Sequence, residues 1–541
     1  MEMKLKTNNI NYYRKLAHIT AAQEETQELI VPDSLPDALS IVNSDGTAIL
    51  KNKEAGDGSV TLSGVIRAHA VYLPDGASKP RGLSTQIPFS VTLENSEIAP
   101  GCKLVANVKL SGIDARLLNP RKLLFRADLL FEADAYGSGA VPITSVPDDK
   151  PALTPAGSKA DAKAKGAVYN PQEAKSAAKS GAKEETVKAE VRNGFLEINP
   201  VVDVGEKPFT VSEELTLPSG KAPISSIVKS SVSLTPEETK PAGGKAVVKG
   251  SANINIVYLS TDTPDLQSAD FSVPFSEIID VCADGDSRSF DVTLVPTGSY
   301  IQEASEDSYG ASRVLVEIPV LAQAVVWQKI AAPYIADAYC TAYETDCKTE
   351  RYTISGLDKE QVYRDTVRAS LPIPDTARQV TCVRVYPGRV RRDNDGFSST
   401  LTADVLYIGE DDRCLSIQGR IELEFKTPEF EADSEASGKI ILGEAFAAPI
   451  AGAIEIRVPV ELQVRGFEAA TAEPVTEITV GEAKSFEGLP SLVLARVSPE
   501  NSLWSIAKKY SSTQSLIRSA NGLSDDADSA NGGMLIVTRA R

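Results

Sequence analysis

The amino-acid sequence predicts a mostly β protein, built of three related units of sandwich or barrel type and a small closing module that mixes helix and strand. Three observations lead to this prediction. Segments that alternate apolar and polar residues, the pattern of half-buried strands, recur through most of the chain. A series of sequence blocks occurs three times in the same order. The apolar spacing turns helical only near the C-terminus. At about 150 residues per domain, the 541 residues correspond to three or four domains.

Each repeated unit contains a strand-like segment that ends in an apolar-Tyr-apolar triplet, followed by an apolar block with a phenylalanine. The tyrosine precedes the phenylalanine by 17, 17 and 18 residues in the pairs Tyr72 and Phe89, Tyr258 and Phe275, and Tyr407 and Phe425. Because an aromatic residue at a fixed place in a β pattern usually packs in the core, we interpret these positions as core residues rather than ligand platforms. Pro88 and Pro274 lack an amide proton and therefore indicate edge strands or bulges.

The repeat and the changes of composition divide the chain. Residues 137–188 are rich in Ala, Lys, Ser, Gly and Pro, a composition typical of a solvated spacer. The predicted ranges are 1–136, 189–330 and 331–470 for units 1, 2 and 3, 137–188 for the linker, 471–490 for a connector, and 491–541 for the closing module.

Composition narrows the functional classes. The net charge of −18 argues against nucleic-acid binding, which needs a basic surface, and no apolar stretch is long enough for a membrane span. With His18 and His69 as the only histidines and no recognisable catalytic constellation, we expect no enzyme, no metal site and no cofactor. The six cysteines form no CxxC pair, and no apolar run follows the N-terminal lysines, so we expect a cytoplasmic protein with reduced thiols. Residues 393–396, Asp-Asn-Asp-Gly, are interpreted as a hairpin turn rather than a calcium loop.

The closing module is predicted to be strand, helix, helix, strand. Leu503, Ile506, Ala507 and Tyr510 fall on one helix face, and Asn501 or Ser502 serves as the N-cap. A second helix fits residues 513–520 and ends at Asn521-Gly522, and residues 534–537 supply the closing strand.

Residues 502–510 and 520–523 of this module resemble a LysM domain. The resemblance implies binding of N-acetylglucosamine glycans through two loops. However, Glu500-Asn501-Ser502-Leu503 stands where the family has Gly-Asp-Thr-Leu, and a glutamate in place of the glycine disfavours close approach to a sugar. The predicted partner- or glycan-binding face consists of Pro499, Glu500, Asn501, Ser502, Trp504, Lys508, Lys509, Asn521 and Leu523. A core role for Trp504 is the open alternative.

The three β units followed by a LysM module are similar to the SPOCS-domain arrangement of spore envelope proteins in anaerobic endospore formers. This resemblance implies a non-enzymatic scaffold for spore coat assembly in the mother-cell cytoplasm, at the forespore surface. It also implies that the LysM module docks on a coat morphogenetic ATPase and that other coat proteins are recruited. One alternative is a peptidoglycan-binding wall or cortex protein. The other is a hydrolase with β-sandwich accessory units, although the scarcity of histidine argues against it.

Overall fold

The computed structural model describes residues 2–3, 6–76, 79–145, 153–154, 189–262, 266–281, 288–304, 312–374, 376–497, 502–524 and 533–540. Within these ranges the chain is mostly β, as predicted, with its two short helices in the C-terminal module. Neither helix has the length and apolar character needed to cross a membrane. Most of the predicted linker lies outside the described residues.

Unit 1 contains two antiparallel sheets. The strands of the N-terminal part of the chain are β1 (Glu2–Met3), β2 (Lys6–Ile30), β3 (Ala38–Ala55), β4 (Ser59–Pro74), β5 (Arg81–Glu94), β6 (Lys103–Asn119), β7 (Lys122–Ser145) and β8 (Leu153–Thr154). One sheet has the order β2-β7-β6, and the other is the meander β3-β4-β5. Strand β7 extends nine residues into the predicted linker, because the N-terminal end of β2 pairs with it as far as Ser145.

Unit 2 has the same organisation. Its region contains β9 (Ala189–Ile198), β10 (Val201–Thr216), β11 (Ile224–Pro241), β12 (Lys245–Ser260), β13 (Leu266–Asp280), β14 (Arg288–Pro296), β15 (Tyr300–Ala304), β16 (Arg313–Gln328) and β17 (Ile330–Cys340). The order β10-β16-β14 corresponds to β2-β7-β6, and β11-β12-β13 is again a meander. Val201 of β10 pairs with Tyr13 of β2, so units 1 and 2 share one seven-stranded sheet. Strand β15 also pairs with β16, and β9 pairs with β17 outside the sandwich.

Unit 3 repeats this arrangement a third time. Its region contains β18 (Tyr343–Thr349), β19 (Tyr352–Pro372), β20 (Ala377–Tyr386), β21 (Arg391–Asp393), β22 (Gly396–Gly409), β23 (Cys414–Lys426), β24 (Glu435–Leu442), β25 (Phe446–Ile450), β26 (Ala453–Ala472) and β27 (Val475–Ala483). The order β19-β26-β24 faces the meander β20-β22-β23. Asp393 pairs with Gly396, so the Asp-Asn-Asp-Gly segment is a hairpin turn, as predicted.

In each unit the two open sheets enclose one apolar core, which is the sandwich alternative of the sequence prediction. The repeated tyrosines Tyr72, Tyr258 and Tyr407 are buried, which confirms them as core residues. The hydroxyls of Tyr72 and Tyr258 donate to carbonyls 36 residues earlier, Pro36 and Ala222, and tie the meander to the preceding loop. The proline-containing strands β5 and β13 are edge strands, as expected for residues without an amide proton.

The C-terminal module consists of β28 (Leu492–Arg496), α1 (Leu503–Tyr510), α2 (Gln514–Asn521) and β29 (Met534–Thr538). Strands β28 and β29 pair antiparallel, although both helices lie between them in the chain. We call this strand pair the LysM hairpin, and one side of it packs on the helices. The predicted order of strand, helix, helix and strand is therefore confirmed.

Candidate functional site

The helix α1 of the C-terminal module is held by a local cap and by apolar packing. Ser502 is its N-cap, and the Ser502 hydroxyl accepts a hydrogen bond of 3.3 Å from the amide of Ser505. Leu503, Trp504, Ile506 and Ala507 are buried. Of the predicted binding face, Pro499, Glu500 and Asn501 lie outside the described residues.

Trp504 and Lys508 contact the chain's own strand β17. The indole Nε1 of Trp504 donates to Oδ2 of Asp337 over 2.7 Å, and the Lys508 ammonium lies 2.7 Å from Oδ1 of the same carboxylate. The Trp504 ring also meets the Tyr339 ring edge-on at 4.9 Å, and the Tyr339 hydroxyl donates to the carbonyl of Ser512. Burial opposes the charge on Asp337, but the hydrogen bonds from Lys508 and Trp504 outweigh it and lower the Asp337 pKa. We call this contact the Asp337 clamp.

Other residues of the predicted face have structural contacts within the module. The Asn521 side-chain amide donates to the carbonyls of Ile517 and Ile536 and accepts from the Ile536 amide, with distances of 2.7, 2.7 and 2.8 Å. It therefore joins α2 to β29. Leu523 packs against the core of the module, and Lys509 is exposed, with its ammonium 5.6 Å from the Tyr510 ring centre.

A second site, which the sequence analysis missed, lies where the three meanders meet. The residue before each repeated tyrosine points away from its own core, and these residues, Val71, Val257 and Leu406, pack together in one apolar cluster. The residues three positions before each tyrosine, which are His69, Asn255 and Asp404, lie beside them at equivalent places in the three units. We call this region the three-unit junction.

Charged residues from all three units are buried at the three-unit junction. Asp45 of β3 lies opposite His69, Lys229 of β11 opposite Val257, and Arg384 of β20 opposite Asp404. The Lys229 ammonium is 3.5 Å from Asp45 and donates to the Asn43 side chain at 2.6 Å, and Asn43 in turn donates to Asp404 at 2.6 Å. The Tyr386 hydroxyl donates to Asp45 at 2.7 Å. This network connects the three units with charge-assisted hydrogen bonds.

The protonation of these groups follows from burial and charge. Burial opposes the ionised form of Asp45, but Arg384 and Lys229 prevail and lower the Asp45 pKa. Burial dominates at Asp404 and raises its pKa to about 6. Burial likewise lowers the pKa of His69 to about 4, so this histidine is neutral at pH 7.

The contacts between units form a closed ring. A Cβ on Gly82 would lie 2.4 Å from the carbonyl oxygen of Val228, so unit 1 touches unit 2 at close range. The Ser268 hydroxyl of unit 2 donates to the carbonyl of Thr381 in unit 3, at 2.5 Å. The Ser416 hydroxyl of unit 3 donates to the carbonyl of Val42 in unit 1, also at 2.5 Å.

The carbonyl groups at these three contacts occupy equivalent positions. Val42, Val228 and Thr381 each lie at a break in strand register, a β-bulge that turns the carbonyl outward from the sheet. The contacts run from unit 1 to unit 2, from unit 2 to unit 3 and back to unit 1.

A cavity of about 640 Å³ lies at the three-unit junction. Its walls come from β3 and β6 of unit 1, from β11, β12, β13 and β14 of unit 2, and from β20, β24 and β25 of unit 3. Among the described residues, no group of three or more His, Cys, Asp or Glu side chains is placed to hold a metal ion. Cys102, Cys340, Cys347 and Cys382 are free thiols.

Comparison with known families agrees with the two resemblances. A family model described as SipL, SPOCS domain, matches residues 37–118 and 223–296, and a LysM domain model matches residues 495–527. No curated protein and no solved structure gives a match. The two SPOCS segments span the meanders of units 1 and 2 and the strand that follows each. Unit 3 has the same strand order, although it lies outside the matched segments.

Proposed function

Because the chain carries SPOCS domains followed by a LysM domain, we propose that it is a non-enzymatic scaffold for assembly of the spore envelope. The SPOCS match makes it a sporulation-related protein. In this proposal the LysM domain docks a coat morphogenetic ATPase at the forespore surface, in the mother-cell cytoplasm, and the SPOCS units recruit other coat proteins.

The observation that carries the proposal is the attachment of the LysM domain to the three-unit body. The Asp337 clamp fixes α1 to strand β17, which is paired with β9 beside the sandwiches. A partner held by the LysM domain would therefore keep a defined position relative to the SPOCS units. A scaffold needs such a fixed geometry, whereas a simple glycan tether does not.

The test is capture of the purified coat morphogenetic ATPase by the full chain. Trp504→Ala or Ile506→Ala removes a buried side chain of the LysM core and should abolish capture, because a truncation of this kind costs about 2–5 kcal/mol. Glu482→Ala, at an exposed position of β27, is the control and should bind like the wild type. Capture by Trp504→Ala at the wild-type level would refute the proposal.

Peptidoglycan binding is the second candidate, favoured by the LysM match itself. Sedimentation of the full chain with purified peptidoglycan, with no capture of the ATPase, would replace the scaffold proposal by this one. Turnover of glycan or peptide substrates by the purified chain would contradict a non-enzymatic role.

A further inference from the structure

Exposed apolar side chains are concentrated at the C-terminal end of the chain. Among the described residues, 14 large hydrophobic side chains are exposed, and five of them lie between residues 489 and 534. These five are Leu489, Leu492, Leu494, Leu516 and Met534. Where such side chains share one face of a small domain, they mark an interaction site more often than scattered single exposures do.

The register of the LysM hairpin places three of these side chains on one face. Leu492 pairs with Thr538, Leu494 with Ile536, and Arg496 with Met534. The alternate residues Val493, Ala495, Leu535 and Val537 point to the other side, toward the helices. Since side chains alternate across a strand, the first set forms the outer face of the hairpin. Leu494 is 58 % exposed and Met534 63 % exposed.

The opposite side of the LysM domain is occupied by the chain itself. Trp504 and Lys508 on α1 contact Asp337, and the Tyr339 ring belongs to the same apolar cluster as the LysM core. A partner that approaches from outside therefore meets the hairpin face, while the α1 side is already covered.

The charge of the module indicates what kind of partner fits. Residues 491–541 contain six Lys and Arg against four Asp and Glu, a net charge of +2, whereas the whole chain carries −18. Arg496 lies on the hairpin face beside the leucines, and no carboxylate lies among the six paired residues of that face. Aliphatic side chains also offer a sugar ring neither hydrogen-bonding groups nor an aromatic platform.

We propose that the outer face of the LysM hairpin, formed by Leu492, Leu494, Ile536 and Met534 with Arg496, is the docking surface for a protein partner. The partner presents an apolar patch bordered by acidic side chains. This inference rests on the proposed function and assigns the surface on which the ATPase binds.

The experiment compares Leu494→Asp with Leu315→Asp in the full chain. Leu315 is an exposed leucine of β16 in unit 2 and serves as the matched control. Binding to the purified ATPase is measured by calorimetry. Leu494→Asp should weaken binding at least tenfold, Leu315→Asp should leave it within twofold, and Leu494→Lys should lose less than Leu494→Asp because the partner surface is acidic. Unchanged Trp504 fluorescence shows that the LysM domain remains folded.

Each other outcome overturns a defined statement. If the wild type binds the ATPase and Leu494→Asp binds equally well, the assignment of this surface is wrong while the scaffold proposal stands. If the wild type does not bind the ATPase, both proposals fail. If the wild type sediments with peptidoglycan and Leu494→Asp does not, the surface binds a glycan and not a protein. A wild-type dimer that Leu494→Asp converts to a monomer would make the occupant a second copy of this chain.

Discussion

Replacement of Asp45 by alanine is expected to destabilise the three-unit junction. Asp45 is fully buried and accepts hydrogen bonds from the Tyr386 hydroxyl and from the Gly46 amide. Its carboxylate also lies 3.5 Å from the ammonium of Lys229, a side chain only 2 % exposed. Removal of the carboxylate therefore leaves a buried cation without its nearest anionic partner. The loss of one partner of a buried ion pair costs about 3–5 kcal/mol.

The assay is urea unfolding followed by the fluorescence of Trp327. This tryptophan packs in a cluster with Val105 of unit 1 and Leu357 of unit 3, so it reports on the assembly of the units. A Trp504→Phe background leaves Trp327 as the single tryptophan, since the chain has two. The urea concentration at the midpoint of unfolding should be lower for Asp45→Ala than for its background, by the amount that corresponds to a loss of about 3–5 kcal/mol in the free energy of unfolding.

Two further variants make the Asp45 result decisive. Asp57→Ala, in an exposed turn of unit 1, should change the stability by no more than about 0.5 kcal/mol. Adding Lys229→Met to Asp45→Ala removes the buried ammonium and should recover part of the loss, while the Tyr386 hydroxyl and Arg384 still lack the carboxylate. The reasoning is refuted if Asp45→Ala is no less stable than Asp57→Ala.

Three other predictions test the ring, the clamp and the buried acid. Gly82→Ala should lower the free energy of unfolding, measured in urea, by about 1–3 kcal/mol because its Cβ would overlap the next unit, whereas Gly112→Ala, whose Cβ would lie 3.6 Å from its nearest neighbour, should not. Equal effects of the two substitutions would contradict the ring contact. Asp337→Ala should free the LysM domain and shift Trp504 emission to longer wavelength, and an unchanged spectrum would count against the clamp. The Asp404 pKa of about 6 means that the folded chain holds this proton more tightly than the unfolded chain, so stability is lost as pH rises from about 4 to 6. Relative to Asp404→Asn, the wild type should lose about 3 kcal/mol over this interval, and a difference that does not vary with pH would show that Asp404 is not buried as described.

The sandwich units could be predicted from the sequence because their signals are local. Alternation of apolar and polar residues defines the strands, and the repeated tyrosines mark the same core position in each unit. The capping and apolar spacing of α1 are local in the same way. Ser502 is the cap, and Leu503, Ile506 and Ala507 are buried as expected.

The three-unit junction could not be predicted in this way. Asp45 and Asp404 occupy strand positions that alternate with core residues, so each has the pattern of an outward, solvated side chain. Only the closure of the ring buries them. The one signal in the sequence is that Asp404, like His69 and Asn255, lies three residues before a repeated tyrosine, which becomes informative once the outer faces are known to meet.

The site in the LysM domain shows the same limit. The sequence marks Trp504 and Lys508 as surface candidates, but their partner, Asp337, lies 167 and 171 residues earlier in the chain. Contacts at such separation depend on how whole units pack, which periodicity does not encode. The sequence predicts a binding face on α1, whereas in the structure two residues of that face form an internal contact. No local sequence pattern predicts this contact.

The most direct measurement of the proposed scaffold role is the position of the fluorescently tagged full chain in sporulating cells, with Trp504→Ala as the comparison. A scaffold docked through its LysM domain should surround the forespore, and the variant should remain dispersed in the mother cell. Wild-type protein that stays dispersed, or a Trp504→Ala variant that still surrounds the forespore, would contradict the proposal.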